Sequence, residues 1–187
     1  MENPLMAHQF STSYVRDAEH TFRYYKGLAD RALAQTPDEA LTVSLDAESN
    51  SIAIIVKHMA GNMRSRWVDF LTSDGEKPDR NRDMEFEAPP DTRATLLTMW
   101  EQGWQHVFDA TASLTDADLG RSVSIRCQPH SVMQAIQRQM AHYSYHVGQI
   151  VFLAKHFASG QWKSLSVPRG RSSELNARMQ TESATKT

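Results

Sequence analysis

The residues best placed to do chemistry are two histidines four apart, His142 and His146, within "QMAHYSYHVGQIVFLAK" at 139–155. Side chains four apart on a helix are neighbours, so both imidazoles can reach one point. HxxxH is thus a competent two-ligand clip for a divalent ion on a bundle helix. Alone the pair says little, because two histidines at this spacing arise often by chance. A third imidazole adds weight. In "VKHMAGNMRSRW", 56–67, His58 borders an apolar stripe of Ile52, Ile55, Val56, Met59, Met63, Trp67 and Phe70. His142 holds the same angular relation to the stripe of its own segment: Val132, Met133, Ile136, Met140, Tyr143, Val147, Ile150, Val151 and Ala154. If the two stripes pack into one core, His58 meets the pair at the seam. Three imidazoles leave at least one position on a divalent ion open, the arrangement of a reactive site and not of a closed structural one.

Four long segments repeat apolar residues at helical spacing and must position these rings, at about 10–34, 50–72, 91–114 and 131–158. The first carries Phe10, Tyr14, Phe22, Tyr25, Leu28 and Ala32, and stops before Pro37. Asn50 or Ser51 caps the second. Asp91 or Thr92 opens the third, striped by Leu96, Leu97, Trp100, Trp104, Val107 and Phe108. Between them, "SDGEKPDRNRDMEFEAPP" at 73–90 is a charged run punctuated by Gly and Pro. It reads as a long surface loop whose length would suit a lid. In "GRSVSIRCQPHSV" the alternation of Val123 and Ile125 around a Pro-containing turn suggests a small hairpin before the fourth helix. The tail loses its apolar pattern, and its last ten or so residues read as disordered. The expected fold is therefore all-α: a four-helix bundle with long connections at 35–49 and 73–90 and a short hairpin before helix four. One domain over 1–175 and a flexible tail over 176–187 complete it.

Composition narrows the function. The 187 residues are 40% hydrophobic with a formal charge of −2, the profile of an ordinary soluble globular protein. A near-neutral chain has no bulk electrostatic reason to bind nucleic acid or an anionic membrane. No window approaches the roughly 18 apolar residues of a membrane span, and no basic-then-apolar leader opens the sequence. The single cysteine, Cys127, cannot form an internal disulfide, which fits a cytoplasmic location. It also excludes a cysteine cage, so a metal here falls to His, Asp or Glu.

Other residues carry weaker signals. Asn62 and Gln149 flank the three histidines by one turn and could orient an imidazole or a water, or could simply be polar residues at the bundle's end. Arg64, Arg66, Arg80 and Arg82 cluster in sequence, and Arg66 falls on the apolar side of its helix. A buried guanidinium needs a carboxylate, so an ion pair is the first reading, and recognition of an anionic thiol cofactor by Arg64 or Arg66 the second. His130, near the start of the fourth helix, could fringe the pocket. His8, His20, His106 and His156 read as surface or helix-end residues, and Cys127 as a partly buried loop residue. Trp67, Trp100 and Trp104 are core by spacing. No Asp or Glu lies on the ligand arc, so the general base of a hydrolytic reaction is not evident.

"VKHMAGNMRSRW" together with "QMAHYSYHVGQIVFLAKH" resembles the DinB/YfiT-like superfamily of bacterial metal-binding four-helix bundles, over about residues 8–160. That family's pattern is one histidine on helix two plus HxxxH on helix four, binding a divalent ion such as zinc or nickel. Carried over, it implicates His58, His142 and His146. Characterised relatives include thiol S-transferases using bacillithiol or glutathione, a mycothiol-dependent isomerase and metal-dependent hydrolases, commonly as homodimers. The resemblance implies a metal-dependent enzyme that transfers a low-molecular-weight thiol to a small-molecule substrate. A metal-dependent hydrolase and a non-catalytic metal- or ligand-binding dimer are the alternatives. The surplus of large apolar residues, with four Trp and nine Met, also points to a homodimer. Activity is expected to fall as the ligand histidines protonate below about pH 6.

Overall fold

A computed structural model describes residues 11–88 and 92–184; His8, Phe10 and Asp91 lie outside them. All four periodic segments are helices with side-chain caps. α1 (Tyr14–Leu33) starts behind Ser13, whose hydroxyl accepts the Arg16 N–H. α2 (Ile52–Trp67) starts behind Ser51, which accepts from Ile54, and α3 (Arg93–Ala112) behind Thr92. Two short strands follow, β1 (Ser122–Ile125) and β2 (Gln128–Ser131), paired antiparallel. α4 (Val132–Ala158) opens with a capping box between Ser131 and Gln134. The protein is mostly helical, with this one small sheet among the described residues. No described helix is long and apolar enough to cross a membrane.

α2 packs on both α3 and α4, and α1 packs on α4 and α3. Phe22, Trp100, Trp104 and Tyr143 are fully buried at the centre, with Trp104 edge-on to Trp100 and Tyr143 at ring-centroid distances of 5.6 Å. α2 ends at Trp67, short of the expected 72, because Val68 is extended and Asp69 turns left-handed at φ 50°. Phe70 consequently leaves the stripe and is only half-buried.

Two stripes differ from the periodic reading in an informative way. On α4, Met133 is 40% exposed, whereas Ala135, Gln139, His146 and Leu153 are buried. The buried arc is rotated toward His146, because α4 also carries the hairpin and faces the border of α2. On α2 nearly every side chain is buried, including His58, Asn62, Ser65 and Arg66. The cover comes from residues 73–88, which form a strap and not a free solvated loop. Gly75 N–H donates to the Ser124 carbonyl, Lys57 Nζ donates to the carbonyls of Met84 and Ala88, and a single 3-10 turn at Asp83–Phe86 lies on α2.

The hairpin turn places two non-glycine residues, Arg126 and Cys127, at φ 54° and 59°. Such a turn costs strain for residues with a Cβ. Asp74 of the strap offsets it by accepting the N–H groups of Arg126 and Cys127 at 2.8 Å each. Cys127 is exposed at the tip, not partly buried as the sequence suggested. The tail differs too: α5 (Ser172–Ala184) is helical although almost wholly exposed. It shows no apolar stripe because nearly all of its described side chains are exposed. Local propensity from Glu174, Leu175, Ala177 and Met179 sustains it, with Arg171 bonded to Glu174 at 2.6 Å.

Candidate metal centre

α2 lines up His58, Asn62 and Arg66 on successive turns, and α4 faces them with His142, His146 and Gln149. The packing of these helices brings His58, His142 and His146 together, with one ligand atom from each lying within 4.8 Å of the others. These three rings could hold a metal ion. His58 Nε2 and His142 Nε2 are 3.3 Å apart. For an ion bound at about 2.0–2.1 Å, the edge of a tetrahedron is about 3.3–3.4 Å, so this pair already has the spacing of two tetrahedral ligands.

The tautomers fit as well. His58 Nδ1 lies 2.9 Å from Glu85 Oε2, an acceptor, so Nδ1 carries the proton and Nε2 keeps its lone pair. Likewise His146 Nδ1 donates to Gln149 Oε1 at 2.8 Å. That leaves His146 Nε2 buried with no hydrogen-bond partner. An orphaned lone pair pointing at two other imidazoles costs free energy unless a cation or donor meets it, and a divalent ion suits it. His142 Nδ1 is also buried without a partner. Phe86 stacks obliquely on His58 at 4.8 Å and Tyr145 on His146 at 4.1 Å, walling the rings in.

Glu85 is the residue that sequence reasoning missed. It is only 6% exposed, and Arg80 grips it through Nε at 2.7 Å and Nη2 at 2.9 Å. Burial pushes its carboxyl up, but the bonds from His58 and Arg80 and the Arg80 charge outweigh this and hold it below the usual glutamate range. It sits in the charged run that read as solvated loop, 27 residues from His58, and no spacing rule connects them. One cue existed. Gly61 lies mid-helix, where glycine costs about 1 kcal/mol relative to alanine. A Cβ there would sit 2.3 Å from Glu85 Oε1, so the strap reaches His58 because position 61 has no side chain.

Burial, then the neighbouring His146 and His58, pushes the His142 pKa down to about 3. Burial likewise pushes His146 down to about 4, with the Gln149 bond opposing. Both rings are therefore neutral, the form that binds metal. Each folded pKa lies below its unfolded value, so the unfolded chain takes up these protons first. The fold accordingly loses stability as pH falls from about 6.5 toward 4. Metal binding should outlast the expected loss below pH 6: we predict a midpoint for cobalt or zinc release below pH 5. Optical titration of the cobalt form checks this, and a midpoint near pH 6 with intact helices would contradict it.

The other sequence candidates are placed as follows. Gln149 contacts His146 as described, whereas Asn62 Oδ1 accepts the Tyr143 hydroxyl at 3.1 Å and touches no imidazole through a hydrogen bond. Arg66 is buried and pairs with Glu76 at 3.1 Å, the ion-pair reading, and also donates to the Gly75 carbonyl. Arg64 is exposed on Asp79 and does not reach the centre. His130 bonds the Gln128 carbonyl within the hairpin and does not line the cleft. His20, His106 and His156 stay outside the cluster. The cleft opening on His58 and His142 has a volume of about 340 Å³, at the small end of ligand sites.

No curated protein matches the chain. The family described as "Protein of unknown function (DUF1572)" matches residues 9–171. That span holds all three histidines, the strap that brings Glu85 and the hairpin that closes the cleft; the chain belongs to the DUF1572 family.

Proposed function

We propose that this protein is a metal-dependent enzyme using His58, His142 and His146 to bind zinc or nickel, and that it transfers a low-molecular-weight thiol to a small electrophilic substrate. The observation that carries the reading is the unpartnered His146 Nε2 facing two further imidazoles. A bound divalent ion would lower the pKa of a thiol or water that meets it. The chain's own part is to hold the three rings neutral and aimed. Glu85 fixes the tautomer of His58 and Gln149 that of His146, while Phe86 and Tyr145 restrict water around them. Thiol transfer is preferred to hydrolysis on one point. Glu85 is fully engaged by His58 and Arg80, and no described carboxylate lines the cleft. A hydrolase here would rely on the metal to ionise its water, with no carboxylate in the cleft to take the proton.

The reading includes the DinB/YfiT-like four-helix bundle, a cytoplasmic location and a homodimer. The dimer is supported by exposed Tyr145 and Phe152, seven residues apart on one side of α4. The test is metal analysis and light scattering on the purified protein, followed by a thiol-transfer and esterase panel on the same preparation. One divalent ion per chain, metal-dependent thiol consumption and a dimer mass are expected. Esterase activity alone would favour the hydrolase. Metal without any turnover would favour a binding protein, and a monomer mass at all concentrations would remove the dimer.

A further inference from the structure

The chain carries a formal charge of −2, yet the cleft beside the histidines is lined by five arginines: Arg66, Arg80, Arg82, Arg126 and Arg138. Basic composition does not explain this concentration. Part of it is structural. Arg66, Arg80 and Arg126 all pair with Glu76, and Arg80 also pairs with Glu85. Two carboxylates against five guanidiniums leave a surplus of three positive charges before any metal is counted.

Arg82 and Arg138 have no carboxylate partner among the described residues and are exposed at the rim. Each is nonetheless placed. The Arg82 guanidinium lies 5.0 Å over the Phe86 ring, a contact that orients the plane while leaving its N–H edge free. Arg138 precedes His142 by one turn of α4 and so shares its side of the helix. Between them, buried Gln139 lines the same cleft, only 3% exposed and with Oε1 unpartnered. That acceptor suits a hydroxyl or N–H hydrogen elsewhere on the ligand and adds nothing to the binding of its charged oxygens.

We propose that this cleft binds a small molecule bearing two or more negative charges, as carboxylates or a phosphate, seated on Arg82 and Arg138 with Arg126 alongside. Guanidinium forks match carboxylate and phosphate oxygens two at a time, and a one-signed cleft raises the local concentration of an anion. Its reactive end then lies against His58 and His142 at the cleft floor. Only this last placement rests on the proposed metal-dependent function; the anion site itself does not. The deepened reading is a thiol or electrophile recognised by its charge.

Calorimetric titration of the full-length, zinc-loaded protein tests it. The probes are tricarballylate, its neutral trimethyl ester and glycerol 3-phosphate. Binding of one or both anions, at least about 10-fold tighter than the ester, is expected, since each lost charge-assisted contact is worth that much. The anion that binds more tightly tells carboxylate from phosphate. Arg82→Gln and Arg138→Gln should each weaken it by about 10-fold or more with bound zinc unchanged. Both residues are exposed, so neither change threatens the fold. Equal binding of ester and anion, or anion binding indifferent to both substitutions, would overturn the proposal. A preparation that takes up no zinc yet still binds the anion through Arg82 and Arg138 would sustain this inference and remove the metal reading.

Discussion

His146→Ala and His142→Ala should each abolish stoichiometric zinc binding and any activity that depends on it, while the far-UV circular dichroism spectrum stays that of the parent. Removing one of three imidazoles costs more than the roughly 10–100-fold that loss of an outer hydrogen-bond partner costs. The fold should survive because it is held elsewhere, by Phe22, Trp100, Trp104 and Tyr143 in the core. His146 adds little to that stability, since its Nε2 is buried unpaired; deleting an unsatisfied polar group offsets part of the lost packing. Loss of helix together with loss of metal would show that the ion is structural, and the enzymatic reading would fall with it.

The second large effect concerns the strap. Glu85→Ala should weaken zinc binding about 10–100-fold by freeing His58 to rotate. It should also cost stability of about 1.5–3 kcal/mol, because the Arg80 guanidinium, whose side chain is 3% exposed, loses its two-pronged partner and keeps only Glu76. Gly61→Ala disturbs the same contact from the helix side. Alanine favours the helix by about 1 kcal/mol, yet its Cβ would collide with Glu85 Oε1, the oxygen that Arg80 Nε holds, and push the carboxylate off both Arg80 and His58. Metal affinity should therefore drop, with helix content kept and the helix gain offsetting only part of the stability lost at the ion pair. Unchanged zinc affinity in both variants would mean that Glu85 plays no part in aiming His58.

Much of this arrangement was legible in the sequence, and the limits of that reading are physical. The helices announced themselves because their apolar residues repeat every three or four positions and because cap residues, Asn50 or Ser51 and Asp91 or Thr92, stand before two of them. The hairpin showed in the alternation of Val123 and Ile125. The three histidines could be brought together because each borders a stripe, and stripes must pack. Of what surrounds them, Gln149 was legible from its place near His146 on α4, and the strap was not. Glu85, Arg80 and Arg82 come from the strap, whose path is set by contacts with Ser124, Lys57 and Gly61 that no local periodicity encodes. Arg126 reaches the cleft from a strained turn steadied by Asp74, fifty-two residues earlier. Arg66 was legible as the inward-facing arginine because helical spacing puts it on the apolar side of α2, whereas Arg64, over half a turn away, entered the cofactor reading only through its place in the basic run and stays exposed. The exposed helix α5 failed in the opposite direction, since an element that buries so little leaves no stripe to read.

X-ray absorption at the zinc edge of the reconstituted protein tests the central claim most directly. Three imidazole ligands at about 2.0–2.1 Å, falling to two or to no bound metal in His58→Ala, is the result expected. A metal that does not bind stoichiometrically, or a ligand shell left unchanged when His58 is removed, would contradict the account.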